Sequence, residues 1–90
     1  MNDKYELLVN AIVKYQESIV GQLAWNVAAS AKGVSVTGDK VAIKGEGKLG
    51  LESVVKQYEG LFGRASVEAC KDAIRPLLPK LKVDLPTVLL

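Results

Sequence analysis

Histidine is absent from this chain, cysteine, tryptophan, phenylalanine and methionine occur once each, and only two of the twelve basic residues are arginines. Without imidazole, the commonest general base and the commonest metal ligand are both missing. A single thiol, Cys70, excludes an internal disulfide. It falls on the apolar stripe of a helical pattern and has no base to activate it, so it reads as a small core residue. An unpaired buried cysteine suits a reducing compartment. No stretch approaches the ~20 apolar residues of a membrane span. The opening MNDKYELLVN has acids beside its early lysine and no unbroken apolar run, unlike a signal peptide. These absences predict a cytoplasmic protein that is not an enzyme and needs neither metal nor cofactor.

What is present is apolar. Hydrophobic residues make up 49% of 90 residues, enough for one core, and 1–90 is expected to form a single domain. The net charge is +2. It is concentrated in 32–48, where Lys32, Lys40, Lys44 and Lys48 face only Asp39 and Glu46. Lysine's excess over arginine, with no histidine, resembles the surface chemistry of thermophile proteins.

The chain is organised around 51–81, LESVVKQYEGLFGRASVEACKDAIRPLLPKL. Leu51, Val54, Val55, Tyr58, Leu61 and Phe62 recur at three-and-four spacing, and so do Val67, Cys70, Ile74, Leu77, Leu78 and Leu81. This predicts helices over 51–62 and 66–81, with Gly63 ending the first and Ser66 capping the second. Pro76 is expected to bend the second helix and Pro79 to end it.

Upstream, 3–31 reads as a helical region with a stripe of Tyr5, Leu8, Ile12, Tyr15, Ile19, Leu23 and Val27. Gly21 is its weak point, and a bend or break is expected near Ser18 to Gly21. Trp25 lies off the stripe, which predicts a second contact surface or a partly exposed ring. Gly33 is expected to cap the region. Residues 34–44 alternate apolar and polar about the turn-like Thr37-Gly38-Asp39-Lys40, the pattern of a β-hairpin. Gly45, Gly47 and Gly50 are expected to form a flexible connector, and 82–90 a tail. The fold class is thus mainly α, a compact bundle of four to five helices with a short β-hairpin between the second and third.

Few motifs carry chemistry. GEGKLG lacks both the Walker and the dinucleotide spacing and reads as a linker. Most carboxylates stand beside a base at helical spacing, as in Glu52/Lys56, Glu68/Lys71 and Asp72/Arg75, the pattern of solvated helix faces. Glu68 and Asp72 form a like-charged pair suited at most to weak binding of a hard cation. The 51–81 pair has a helix-turn-helix outline, yet its second helix opens with Glu68 and lacks residues that read base edges. Two readings of function remain, both non-catalytic. One is protein interaction, or self-association, through Trp25 and the apolar tail residues Leu85, Val88, Leu89 and Leu90. The alternative is weak, sequence-independent binding of double-stranded DNA by Lys32, Lys40, Lys44, Lys48, Lys56 and Arg64.

The segment ESVVKQYEGLFGRASVEACKDAIRPLL, with YELLVNAIVKYQESIVGQLAW upstream, resembles small archaeal domains that occur alone or appended to signalling proteins. The succession of short amphipathic helices also looks like a saposin-like bundle, here without the disulfides that staple saposins. The resemblance implies an archaeal interaction or regulatory module, with lipid binding as a third expectation. It rests on packing positions and carries over no functional residue.

Overall fold

The computed structural model of the chain describes residues 3–90. Helix α1 (Asp3–Val20) begins with Asp3 and Glu6, acids that complement the positive end of the helix dipole. It stops where Gly21 takes φ +71°, a left-handed conformation that costs a side chain-bearing residue about 1–2 kcal/mol. Helix α2 (Leu23–Ala29) then restarts, so the break expected here is present.

That break also resets the helical phase. Helix α1 buries Leu8, Val9, Ile12, Val13 and Gln16, whereas α2 buries Ala24, Trp25, Val27 and Ala28. Ile19 and Leu23 were expected on one continuous buried stripe, yet they are 60% and 47% exposed. Trp25 was expected at a second contact surface or partly exposed, yet it is only 3% exposed. The stripe drawn through α1 does not continue through α2, because the two helices do not share a phase.

Helix α2 ends at Ala29, and Gly33 is not its cap. Gly33 instead opens the hairpin, its carbonyl accepting the Lys44 N–H at 2.7 Å. Strands β1 (Val34–Thr37) and β2 (Lys40–Ile43) pair antiparallel, with Val34 opposite Ile43 and Thr37 opposite Lys40.

Helix α3 (Gly47–Phe62) starts four residues earlier than its apolar pattern, because Glu46 caps it. The Glu46 carboxylate accepts the Lys48 N–H at 2.9 Å. The glycines expected as a connector therefore serve differently: Gly47 and Gly50 are buried within α3. A Cβ on Gly50 would stand 2.8 Å from Ile43 Cγ2, so the missing side chain is what lets α3 lie against the hairpin.

Gly63, at φ +84°, separates α3 from α4 (Arg64–Ile74). Ser66 is not the N-cap of α4: it sits in the first turn, its hydroxyl donating to the Gly63 carbonyl at 2.7 Å. Helix α4 ends at Ile74, short of the expected 81, because Pro76 has no N–H for a helical bond. The chain continues as turns, with Leu81 N–H donating to the Leu77 carbonyl at 2.9 Å.

Among the described residues the result is mainly α, four helices with an antiparallel hairpin between α2 and α3. Its core joins Leu8 and Ile12 of α1 to Leu51 and Tyr58 of α3 and Ile74 of α4, all buried. The Tyr58 hydroxyl donates to the Ala24 carbonyl at 2.7 Å, a buried tie between α3 and α2. The tail is packed. Its 3-10 turn, Thr87–Leu89, lies against α3 and α4 and buries Leu89 in the core, worth about 1.5–3 kcal/mol.

Candidate functional site

The six basic residues of the nucleic-acid reading separate in the fold. Lys32, Lys44 and Lys56 line one open cleft of about 510 Å³ at the base of the hairpin. The cleft is built where the hairpin meets α3, through the Lys32 N–H donating to Ser53 Oγ at 2.8 Å. Glu46 and Glu52 share the same walls, and Glu52 pairs with Lys56 at 3.8 Å. Lys32 and Lys44 make no ion pair among the described residues.

The other three basic residues lie elsewhere. Lys48 pairs with Asp84 of the tail at 3.0 Å, and this hydrogen bond holds its ammonium above the ordinary lysine range. Arg64 stands 3.9 Å from Glu59 at the α3–α4 junction. Lys40 lies at the hairpin tip, beside Leu7, Asn10 and Lys14 of α1. One cleft therefore gathers half of the expected set, with acids interleaved. The α3 N-terminus, beside GEGKLG, is already met by the Glu46 carboxylate.

The surface expected of Trp25 and the tail does not form. Trp25 and Leu89 are buried, and Leu85 and Val88 are half-buried against the core. The Tyr5 hydroxyl donates to the Asp84 carbonyl at 2.8 Å and, with the Lys48–Asp84 pair, fastens the tail to α1 and α3. Only Leu90 of the set is well exposed, at 76%. Of the two arrangements the apolar tail allows, a free patch or a tail folded back over the helices, apolar burial favours the second.

A different apolar surface is open. The last turns of α1 and the α3–α4 corner enclose a groove of about 330 Å³, lined by Ile19, Val20, Phe62, Ala65 and Ala69 over buried Gln16 and Ser66. None of its lining residues is charged. Its walls are fixed from below: buried Gln16 donates through Nε2 to the Ser66 carbonyl at 3.0 Å and to Cys70 Sγ at 3.4 Å. Phe62 stacks on Tyr58 with ring centroids 6.4 Å apart. Burial pushes the Cys70 thiol up to about 11, so at neutral pH it is a protonated core group, as the stripe predicts.

The sequence did not single out this groove, because Ile19 fitted the buried stripe. The break at Gly21 was the available signal: it strands the last turn of α1 without a continuing helix to cover it. The helix-face ion pairs do form, Glu68–Lys71 at 3.5 Å and Asp72–Arg75 at 2.7 Å. Among the described residues no group of three or more carboxylates and thiols is placed to hold a metal ion. Among those residues, too, no helix is long and apolar enough to cross a membrane. No family model, curated protein or solved structure matches the chain.

Proposed function

We propose that this chain is a non-catalytic protein-interaction module, regulatory in role, that receives the apolar face of a partner's helix in the groove between α1 and the α3–α4 corner. The observation that carries this reading is Ile19, a large apolar side chain left 60% exposed on the wall of an uncharged groove. The small side chains of Ala65 and Ala69, one helical turn apart on its lining, leave room for another helix to approach. A partner helix with large apolar side chains at three-and-four spacing complements such a surface.

The test uses the full chain as bait in extracts of its source cells, comparing wild type, Ala69→Glu, and Lys32→Glu combined with Lys44→Glu. The expected result is a protein retained by wild type and by the lysine variant but lost with Ala69→Glu. Retention by all three, or by none, counts against the groove.

A second reading, weak duplex DNA binding, rests on Lys32 and Lys44 in the hairpin cleft, both without an acidic partner among the described residues. Labelled duplex titrated at low and high salt tests it. Salt-sensitive binding abolished by Lys32→Glu plus Lys44→Glu supports DNA association, and no binding at low salt ends it.

A further inference from the structure

The hairpin has two edges, and although α2 packs against β1, among the described residues side chains hydrogen-bond to the strand backbone along β2 alone. Along β2, the Val41 N–H donates to Asn10 Oδ1 at 2.8 Å, and the Val41 carbonyl accepts from Asn10 Nδ2 at 2.9 Å. The Ile43 N–H donates to Glu6 Oε2 at 2.8 Å. Side chains of α1 thus stand in for a third strand.

The register then fixes what β1 offers. Residues of an antiparallel pair alternate between exchanging both backbone bonds and turning them outward. Val41 and Ile43 turn outward to α1, so their opposite residues, Val36 and Val34, turn outward on the far side. Neither makes an outward backbone bond to any described residue. Two residues earlier the edge is closed, since the Lys32 N–H is given to Ser53 Oγ. Val34 and Val36 share a face with buried Val41 and Ile43 yet are only half-buried themselves. The strand carries no charge, no proline and no bulge, the features that keep exposed edges from pairing.

We infer that this edge pairs antiparallel with the same edge of a second copy of the chain, about a two-fold axis at Ser35, to make a four-stranded sheet. Val34 then faces Val36 of the second copy, and the two symmetric pairs supply four N–H···O=C bonds. Lys32 meets the Gly38–Asp39 turn of the second copy. Neither Lys32 nor Asp39 has an ion-pair partner among the described residues, and the two-fold axis brings them together twice. The neighbouring registers are disfavoured. A shift of two residues one way sets Lys32 against Lys40, and the other way sets Val36 against Lys32, whose N–H is spent on Ser53. A foreign extended peptide would satisfy the same backbone groups but not the reciprocal Lys32–Asp39 contacts, which is why the occupant is a second copy.

Sedimentation of the full chain from micromolar to millimolar concentration tests the pairing, with amide exchange at Val34 and Val36 as the local readout. Wild type is expected to dimerise reversibly, with both amides slowing as concentration rises. Val36→Pro removes an outward N–H without touching the β1–β2 bonds, and by symmetry deletes two of the four new ones, weakening the dimer roughly tenfold or more. Lys32→Asp and Asp39→Lys are each expected to weaken it, and the two together to restore it, which also guards against a proline variant that folds poorly. Ile19→Lys, which disables the groove, should leave the dimer intact. A monomer at every concentration overturns the inference. So does association that ignores Val36→Pro and both charge reversals, or that is lost with Ile19→Lys.

Discussion

Replacing Asn10 by alanine removes both bonds by which α1 closes the β2 edge at Val41. Val41 is fully buried, so its N–H and carbonyl lose their outward partners together. An unsatisfied buried polar group costs about 1–3 kcal/mol. Asn10 itself is half-buried, so water enters the space left and brings each cost toward the low end. The expected loss is about 2 kcal/mol, a large share of the ~5–15 kcal/mol that holds a domain together. Asn10→Asp separates the two bonds. It keeps an acceptor for the Val41 N–H but sets a carboxylate oxygen where Nδ2 now stands, 2.9 Å from the Val41 carbonyl oxygen. Ionised, it is no better than alanine. Protonated, it donates to that carbonyl, so the native state raises the pKa of the new carboxyl above its unfolded value of about 3.9. The stability gained is fully present below that value and lost as pH rises through the native pKa. Urea denaturation of both variants at neutral and acidic pH measures this, Asn10→Ala cancelling every other titrating group. An Asn10→Ala protein within about 0.5 kcal/mol of wild type refutes the reasoning. So does an Asn10→Asp protein as stable as wild type at neutral pH.

Three other substitutions probe the core. Tyr58→Phe leaves the Ala24 carbonyl without its donor and should lower stability by about 1–2 kcal/mol in urea melts. Gly50→Ala forces a Cβ against Ile43 and should cost about 1–3 kcal/mol of overpacking, less ~1 kcal/mol regained in helix propensity. Combining it with Ile43→Ala should cost less than the sum of the two, and strict additivity would deny the contact. The Cys70 thiol, raised by burial from 9.0 to about 11, contributes stability that is fully present below the lower value and lost as pH climbs through the higher. Cys70→Ala should therefore flatten the alkaline limb of the stability profile, and the native thiol should resist a disulfide reagent at neutral pH until urea exposes it.

The legible features were those fixed by neighbours in sequence. The break at Gly21, the hairpin about Gly38–Asp39, the i,i+3 and i,i+4 ion pairs and the buried Cys70 all follow from local pattern. What was hidden depends on partners far along the chain or on helical phase. Trp25 reads as peripheral only while a single stripe is drawn through both sides of the break at Gly21, and Ile19 reads as buried for the same reason. Gly50 looked like a hinge because its contact, Ile43, lies across the hairpin. Nothing local marks the Asn10 and Glu6 side chains as facing a strand edge, because β2 lies more than thirty residues further along the chain. Local pattern leaves the tail equally readable as an open patch or as folded back, because the surface that covers it is built by α3 and α4.

Site-specific photo-crosslinking in the source cells asks whether the groove beside Ile19 receives a partner. A photoreactive phenylalanine at Ile19, on the groove wall, is compared with one at exposed Lys82 on the tail. A discrete adduct with another protein is expected from position 19, absent from position 82 and lost when Ala69→Glu is added. No adduct from position 19, the same adduct from both positions, or an adduct only with a second copy of this chain would contradict it.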